Sequence, residues 1–100
     1  MNKQLNVLMK RTERIISVAL EGYGLIYSLP APQRHHHIIH ALYKLTGKSI
    51  GGDYQQGFIT NIGRFVNRTE GYEIAKDAEQ LLDLPHVPHT PGTLYSEDLW

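Results

Sequence analysis

Two runs in which apolar residues alternate with other residues flank a short glycine-containing connection near the start of the chain. The runs span residues 14–20 and 25–29, and the connection is Glu21-Gly22-Tyr23-Gly24. Alternation with a period of two predicts half-buried strands, and a short connection containing glycine is typical of a β-hairpin. The residues of the predicted apolar faces are Ile16, Val18, Leu20, Leu25, Tyr27 and Leu29. This hairpin is the feature that most restricts the possible folds.

A helical pattern follows the hairpin after Pro30-Ala31-Pro32. Proline cannot continue a central strand, but it is well tolerated in the first turn of a helix. Apolar residues then recur at three- and four-residue spacing, so we expect a helix from about Pro32 to Leu45, ended by Gly47. Residues 48–56 are expected to form a loop. The apolar stripe consists of Ile38, Ala41, Leu42 and Leu45.

The second half of the chain predicts another strand pair and another helix. Residues 57–60 and 64–66 are short extended runs on either side of a glycine-containing turn. An amphipathic helix is expected from about Glu70 to Leu82, capped by Asn67 or Thr69. Residues 84–92 contain three prolines and are expected to be irregular, whereas the aromatic-rich residues 94–100 are expected to dock on the domain.

These elements predict an α+β fold in which a small antiparallel sheet packs against two helices. The sheet combines the N-terminal hairpin with the second short strand pair. Residues 14–100 are expected to form this single domain, since 100 residues suffice for one modest core. Residues 1–13 are expected to form an N-terminal arm or a short helix.

Composition excludes several classes of site. The chain has no cysteine, so disulfides, cysteine-based zinc sites and thiol nucleophiles are excluded. No apolar run approaches the roughly 20 residues that span a bilayer, and we expect a cytosolic protein without membrane contact. The formal net charge is zero, so we expect no binding of long nucleic acid. Residues 15–69 nevertheless carry three more basic than acidic residues, which leaves a small anionic ligand as a possible partner.

A run of basic residues, Arg34-His35-His36-His37-Ile38-Ile39-His40, opens the first predicted helix. A helix N-terminus is unfavourable for cations unless an anion or an acidic side chain is present. We therefore predict that Arg34, His35, His36 and His40 bind a small anion. The alternative is structural: Arg34 pairs with Glu97 or Asp98 and the histidines simply pack.

His36 and His40 also allow two chemical alternatives. Their i, i+4 spacing can present two imidazoles to one metal ion, but a third ligand would have to come from His86, His89 or a carboxylate. Histidine is also suited to proton transfer near neutral pH. Because nothing fixes a third ligand, a nucleophile or a base, we predict no metal site, no cofactor and no defined catalytic residue.

A second polar segment, residues 55–68, is predicted to form the other wall of the site. Its glycines allow close backbone approach, and its polar side chains can contact a ligand. The predicted ligand-binding residues of this segment are Gln56, Thr60, Arg64 and Arg68. The alternative is an ordinary strand pair, with acids of residues 95–98 anchoring Arg34 or Arg64.

Several segments in combination resemble a family of small, uncharacterised proteins of tailed bacteriophages and prophages. The matching segments are Leu29-Pro30-Ala31-Pro32-Gln33-Arg34-His35-His36, Gln56-Gly57-Phe58-Ile59-Thr60-Asn61-Ile62-Gly63-Arg64-Phe65-Val66-Asn67-Arg68, Glu73-Ile74-Ala75 with Glu79-Gln80, and Leu94-Tyr95-Ser96-Glu97-Asp98-Leu99-Trp100. The sequence departs from the pattern at Asn67, Gly71-Tyr72 and Glu79. The resemblance implies a phage origin, a small α+β fold and activity inside an infected bacterial host; it implies no reaction.

Three functions remain open from the sequence. The preferred one is a phage accessory protein that sequesters a small phosphate-bearing, nucleotide-like ligand, such as a host defence signal. The alternatives are a histidine-dependent phosphodiesterase or hydrolase and a module that binds a host protein. Because a small sheet has open edges, we also expect a homo-oligomer, with a dimer favoured and the ligand site near or across its interface.

Overall fold

A computed structural model describes residues 13–49, 52–83 and 90–100. The predicted arm over residues 1–13 lies, except for its last residue, outside the described residues. The same holds for positions 84–89 of the segment predicted to be irregular.

The structure is an α+β fold, as predicted. In the described residues, four strands form one antiparallel sheet in the order β2-β1-β3-β4, with two helices and a short 3-10 turn. The strands and helices are β1 (Ile15–Gly22), β2 (Leu25–Pro30), α1 (His35–Thr46), β3 (Gln55–Thr60), β4 (Phe65–Asn67) and α2 (Arg68–Asp77); the 3-10 turn is Ser96–Asp98.

The predicted hairpin is present as β1 and β2. Its two turn residues, Tyr23 and Gly24, have φ angles of 53° and 77°. Two consecutive positive φ angles are the property of the type I′ turn, which matches the twist of the strands it joins. Gly22 and Leu25 pair directly at the base of this turn.

The core lies on one face of the sheet, under the two helices. Val18 of the central strand β1 pairs with Leu29 on one side and with Phe58 on the other. Because paired residues point to the same face, these side chains form a row that the helices cover. The buried apolar cluster contains Ile15, Val18, Leu20, Ile38, Leu42, Phe58, Val66, Ala75, Leu94 and Leu99.

Helix α1 begins three residues later than predicted, at His35. Pro32 lies in a turn instead, and the main-chain N–H of Gln33 donates to Pro30 there. Arg34 is extended and forms the N-cap, and its N–H donates to Nδ1 of His37. The helix ends at the predicted Gly47, which has a φ of 71° and donates to the main-chain oxygen of Tyr43.

Helix α2 is shorter than predicted because the chain turns away after Asp77. Asn67 and Glu70 form the expected reciprocal cap at its start. At the other end, Glu79 adopts a φ of 57°, which no helix residue adopts. The side chain of Gln80 then bonds both main-chain groups of Ile15, so the chain is fastened to β1 where the sequence predicted continued helix.

The boundaries of the second strand pair also differ from the prediction. Strand β3 includes Gln55 and Gln56, which lie in the predicted loop over residues 48–56. They pair with Glu21 and Leu20 of β1. Backbone pairing with a central strand therefore extends β3 beyond the residues whose side chains indicate a strand.

Residues 94–100 dock on the domain, as expected. Leu94 is fully buried, and its N–H donates to the main-chain oxygen of Arg68. The indole N–H of Trp100 donates to the main-chain oxygen of Gln33 at 2.7 Å. This segment therefore joins the start of α1 to the start of α2. In the part of the chain that the structure describes, no helix combines the length and apolar character needed to cross a membrane.

Candidate functional site

The sequence-predicted binding residues do not form one cluster. Thr60 and Arg64 lie at the end of β3 where Glu13 is found. Gln56 and Arg68 contact each other at the opposite end of that strand. The exposed histidines on α1 form a third position, and the structure therefore separates residues that the sequence grouped.

Arg64 is neutralised by acids of the chain itself. Its guanidinium donates two hydrogen bonds of 2.9 Å to the carboxylate of Glu13, and Glu70 lies 3.8 Å away. The bond from Arg64 lowers the pKa of the Glu13 carboxyl below its ordinary value of 4.5. The expectation that acids of residues 95–98 anchor Arg64 is wrong. This group ties the segment before β1 to the β3–β4 turn.

Arg34 fastens the end of the domain to the start of α1. Its side chain donates to the main-chain oxygen of Trp100 at 2.6 Å. The acidic partner considered for it, Glu97 or Asp98, is replaced by this main-chain group. The half-buried Arg34 side chain therefore helps to hold the docked residues 94–100 against the start of α1.

His35 is buried and links α1 to β3. Its Nε2 lies 2.7 Å from the main-chain oxygen of Gly57, and its ring stands edge-on to Phe58 at 5.0 Å. Burial lowers the pKa of His35 below 6.5, and the charge of Arg68 acts in the same direction, although the bond to Gly57 opposes the shift. The neutral ring therefore donates Nε2–H to a carbonyl. This bond holds the first turn of α1 against the sheet.

His36 and His40 lie on the exposed side of α1. The ring of His36 lies 4.0 Å from that of His37, whose Nδ1 is occupied by the capping bond. The possible third ligands His86 and His89 lie outside the described residues. Within residues 13–49, 52–83 and 90–100, no three potential metal ligands come together.

Arg68 has a different environment from the other two arginines. One guanidinium nitrogen donates to the main-chain oxygen of Leu94 at 2.6 Å, and another donates to Oε1 of Gln56. The guanidinium carbon lies 4.6 Å from the centre of the Tyr95 ring. Among the described residues, no carboxylate forms an ion pair with Arg68. Its direct partners are therefore neutral oxygens and an aromatic face.

A polar cleft of about 620 Å³ opens beside this guanidinium. Burial lowers the pKa of Arg68, while Tyr95, Glu97 and Asp98 favour its charged form. A guanidinium has five N–H donors, so the two bonds in place leave others for an anion. The lining residues are Gln55, Gln56, Asn67, Arg68, Thr69 and Tyr95.

The sequence predicted Arg68 and Gln56 as binding residues, but it did not predict four other residues that line the cleft: Gln55, Asn67, Thr69 and Tyr95. The sequence predicted only that Tyr95 belongs to the docking segment 94–100, because its spacing gives no sign of the contact with Arg68. Tyr95 and Arg68 are 27 positions apart in the sequence, but the Tyr95 ring centre lies 4.6 Å from the Arg68 guanidinium carbon. The packing of Leu94 into the core and its two hydrogen bonds with Arg68 place Tyr95 there.

The family of the chain follows from a sequence comparison. A family model described as the phage T4 y16D protein matches residues 9–100. The chain belongs to this family. The predicted resemblance to a family of phage proteins is therefore confirmed at the level of the family. The protein is a phage protein. No curated protein and no solved structure matches the chain.

Proposed function

We propose that this phage accessory protein binds a small phosphate-bearing, nucleotide-like ligand in the cleft beside Arg68. One observation carries the proposal: a half-buried guanidinium, bonded only to neutral oxygens, opens on a polar cleft. A charge that is partly removed from water and lacks a paired carboxylate is stabilised by an incoming anion.

The chemistry of the cleft favours a phosphate attached to a ring system. The planar guanidinium fork matches two phosphate oxygens, which a single ammonium group does not. Tyr95 is 40% exposed, so the part of its ring that the guanidinium does not cover can contact a ligand ring. The amides of Gln55 and Gln56 and the hydroxyl of Thr69 supply donors and acceptors for polar edges. A volume of about 620 Å³ falls within the usual range for small-molecule sites.

Sequestration is the biological role that we propose for this binding. A phage protein present in the infected host cytoplasm lowers the free concentration of a nucleotide defence signal simply by holding it. This role requires affinity and needs no cofactor, nucleophile or metal.

Isothermal titration calorimetry tests the proposal with cyclic dinucleotides and cyclic ADP-ribose as probes. Arg68→Ala should weaken binding about 10- to 100-fold, because a hydrogen bond to a charged group contributes about 1.5–3 kcal/mol. Arg68→Lys should recover part of that loss, since it keeps the charge but not the fork. Arg14→Ala is the matched control, because Arg14 is an exposed arginine outside the cleft. Absence of heat with all of these probes would overturn the proposal.

The same titrations test the wider set of predicted binding residues. Alanine variants of the exposed residues His36, His40 and Arg64 should bind like wild type if the ligand occupies only the Arg68 cleft. A loss confined to Arg64→Ala would place the ligand at the Glu13 end of β3 instead. Chromatography after incubation separates sequestration from hydrolysis, because only an enzyme that uses His36 or His40 would release product.

A further inference from the structure

Among the described residues, strand β2 forms an open edge of the sheet that lacks the usual protection. The strand order places β2 at one edge and the three-residue β4 at the other. β4 runs directly into α2, whereas β2 extends over six residues, Leu25–Pro30. Natural edge strands are commonly protected by charged side chains, bulges or proline. β2 contains no charged residue, and its only proline is the last residue.

The outward hydrogen-bonding groups of β2 follow from the hairpin geometry. In the turn that pairs Gly22 with Leu25, the N–H of Leu25 points toward β1, and the direction then alternates along the strand. Ala31, which lies in phase with Leu25, indeed donates to the main-chain oxygen of Ile16. Ile26 and Ser28 therefore direct their N–H and C=O groups outward. Within the described residues, these four groups have no main-chain partner.

An apolar groove lies along the same edge. It has a volume of about 410 Å³ and runs between β2 and α1. Leu45 on its rim is 81% exposed although it belongs to the predicted apolar stripe of the helix, and Leu25 and Ile26 are 56% and 49% exposed. The lining residues are Ile26, Tyr27, Ser28, Leu29, Ile38, Ala41, Leu42 and Leu45.

We infer that β2 pairs with β2 of a second copy of the chain, in antiparallel orientation about a two-fold axis. The inference is independent of the proposed function. When Ile26 lies opposite Ser28 of the second copy, all four outward groups of each strand are bonded. Shifting the pairing toward Pro30 loses a bond, because proline has no N–H and its oxygen already accepts from Gln33. The edge is therefore complementary to itself in one register.

The side chains in this register are also complementary. Leu25 lies opposite Leu29 of the second copy, and Tyr27 lies on the axis opposite its own copy. Apolar and aromatic cross-strand pairs of this kind stabilise sheets, and like charges would oppose pairing. No charged residue occurs in β2, so no repulsion arises across the axis. The apolar groove adds Ala41 and Leu45 of both copies to the contact, and an eight-stranded sheet results.

The Arg68 cleft lies on the other side of the central strand from this edge. It is built on β3 and the start of α2, whereas β2 pairs only with β1. Neighbouring strands are about 4.8 Å apart, so the dimer contact and the cleft are separated by roughly 10 Å or more. Dimer formation is therefore expected to leave ligand affinity unchanged.

Sedimentation equilibrium tests the inference with a matched pair of variants. Wild type should sediment at twice the chain mass of 11.4 kDa at micromolar concentration. Ile26→Lys places a charge on the edge and should raise the dimer dissociation constant at least tenfold. Ile62→Lys makes the same chemical change at an apolar residue that is 66% exposed in the β3–β4 turn, and should leave the dimer intact. A monomeric wild type, or equal dimerisation of both variants, would overturn the inference.

A single introduced cysteine tests the register, because the chain has none. Opposite residues of a non-hydrogen-bonded antiparallel pair have Cα atoms about 4.5 Å apart, which suits a disulfide. Tyr27→Cys should therefore form a covalent dimer on mild oxidation. In Leu25→Cys the two thiols would belong to residues about 14 Å apart, too far for a disulfide. Cross-linking of Leu25→Cys, with none in Tyr27→Cys, would contradict this register; circular dichroism confirms that each variant is folded.

Discussion

The close approach of β3 and β4 at Gly57 predicts a large effect from one added methyl group. A Cβ at this position would lie 2.3 Å from the main-chain oxygen of Val66 and 2.5 Å from a ring carbon of Phe65. The ring of Phe65 can rotate, but the oxygen belongs to the backbone of β4, which pairs with β3. Gly57→Ala therefore forces the two strands apart.

The size of the effect follows from three contributions. Overpacking in a close-packed region costs about 1–3 kcal/mol. Displacement of the Gly57 oxygen, which lies 2.7 Å from Nε2 of His35, weakens a buried hydrogen bond that contributes about 1 kcal/mol. Alanine gains about 0.5–1 kcal/mol over glycine in a strand, in the opposite direction. The net expectation is a loss of about 1–3 kcal/mol in the free energy of unfolding.

Urea denaturation measures this loss through circular dichroism and the fluorescence of Trp100, which is the single tryptophan. Since about 1 kcal/mol shifts Tm by roughly 4–8 °C in a domain of this size, Gly57→Ala should melt about 5–20 °C below wild type. Gly52→Ala is the control, because a Cβ there meets no atom within 4 Å. It should be neutral or slightly stabilising. Equal stability of the two variants would refute the argument from close approach.

Three further predictions concern acid sensitivity and the helix cap. The pKa of His35 is lowered in the folded state, so the unfolded chain binds the proton first as the pH falls. The free energy of unfolding should therefore keep the full contribution of His35 above pH 6.5 and fall by up to about 1.4 kcal/mol per pH unit below it. His35→Gln should show a flatter pH profile. The lowered pKa of Glu13 adds stability that is present above pH 4.5 and lost as the pH falls further; because Arg64 is largely exposed, Glu13→Gln should cost only about 0.5–1 kcal/mol at pH 7 in urea denaturation. Asn67→Ala removes the side-chain cap of α2 and should cost about 1 kcal/mol, measured as a lower Tm, while Asn67→Asp should retain most of the stability.

Local patterns predicted the elements of the fold because each depends on neighbours in sequence. The alternation around Tyr23-Gly24 requires no distant contact to indicate a hairpin, and Gly47 and Asn67 act on main-chain groups within a few positions. The errors occur where distant contacts decide. The side chain of Gln80 bonds to Ile15, 65 positions earlier, where the sequence predicted continued helix. Gln55 belongs to a strand because its backbone pairs with β1.

The sequence predicted which types of residue form the candidate site, but it did not predict which of the predicted residues lie together. The sequence contains basic residues without obvious acidic neighbours. Nothing in it distinguishes Arg34, Arg64 and Arg68 from one another. In the structure, Arg64 finds Glu13, 51 positions away, and Arg34 finds the main-chain oxygen of Trp100. Arg68 alone of the three meets a cleft with an aromatic wall. Which partner each arginine binds depends on distances in the folded structure, and sequence spacing does not give those distances.

The amino-acid sequence by itself determined that the described residues form two helices and a small antiparallel sheet, because turn chemistry and apolar periodicity act over a few residues. Tertiary structure alone decided which arginine borders the cleft and which strand edge has no main-chain partner among the described residues. Both depend on contacts between segments that are far apart in sequence, and such contacts are fixed only when the core has packed.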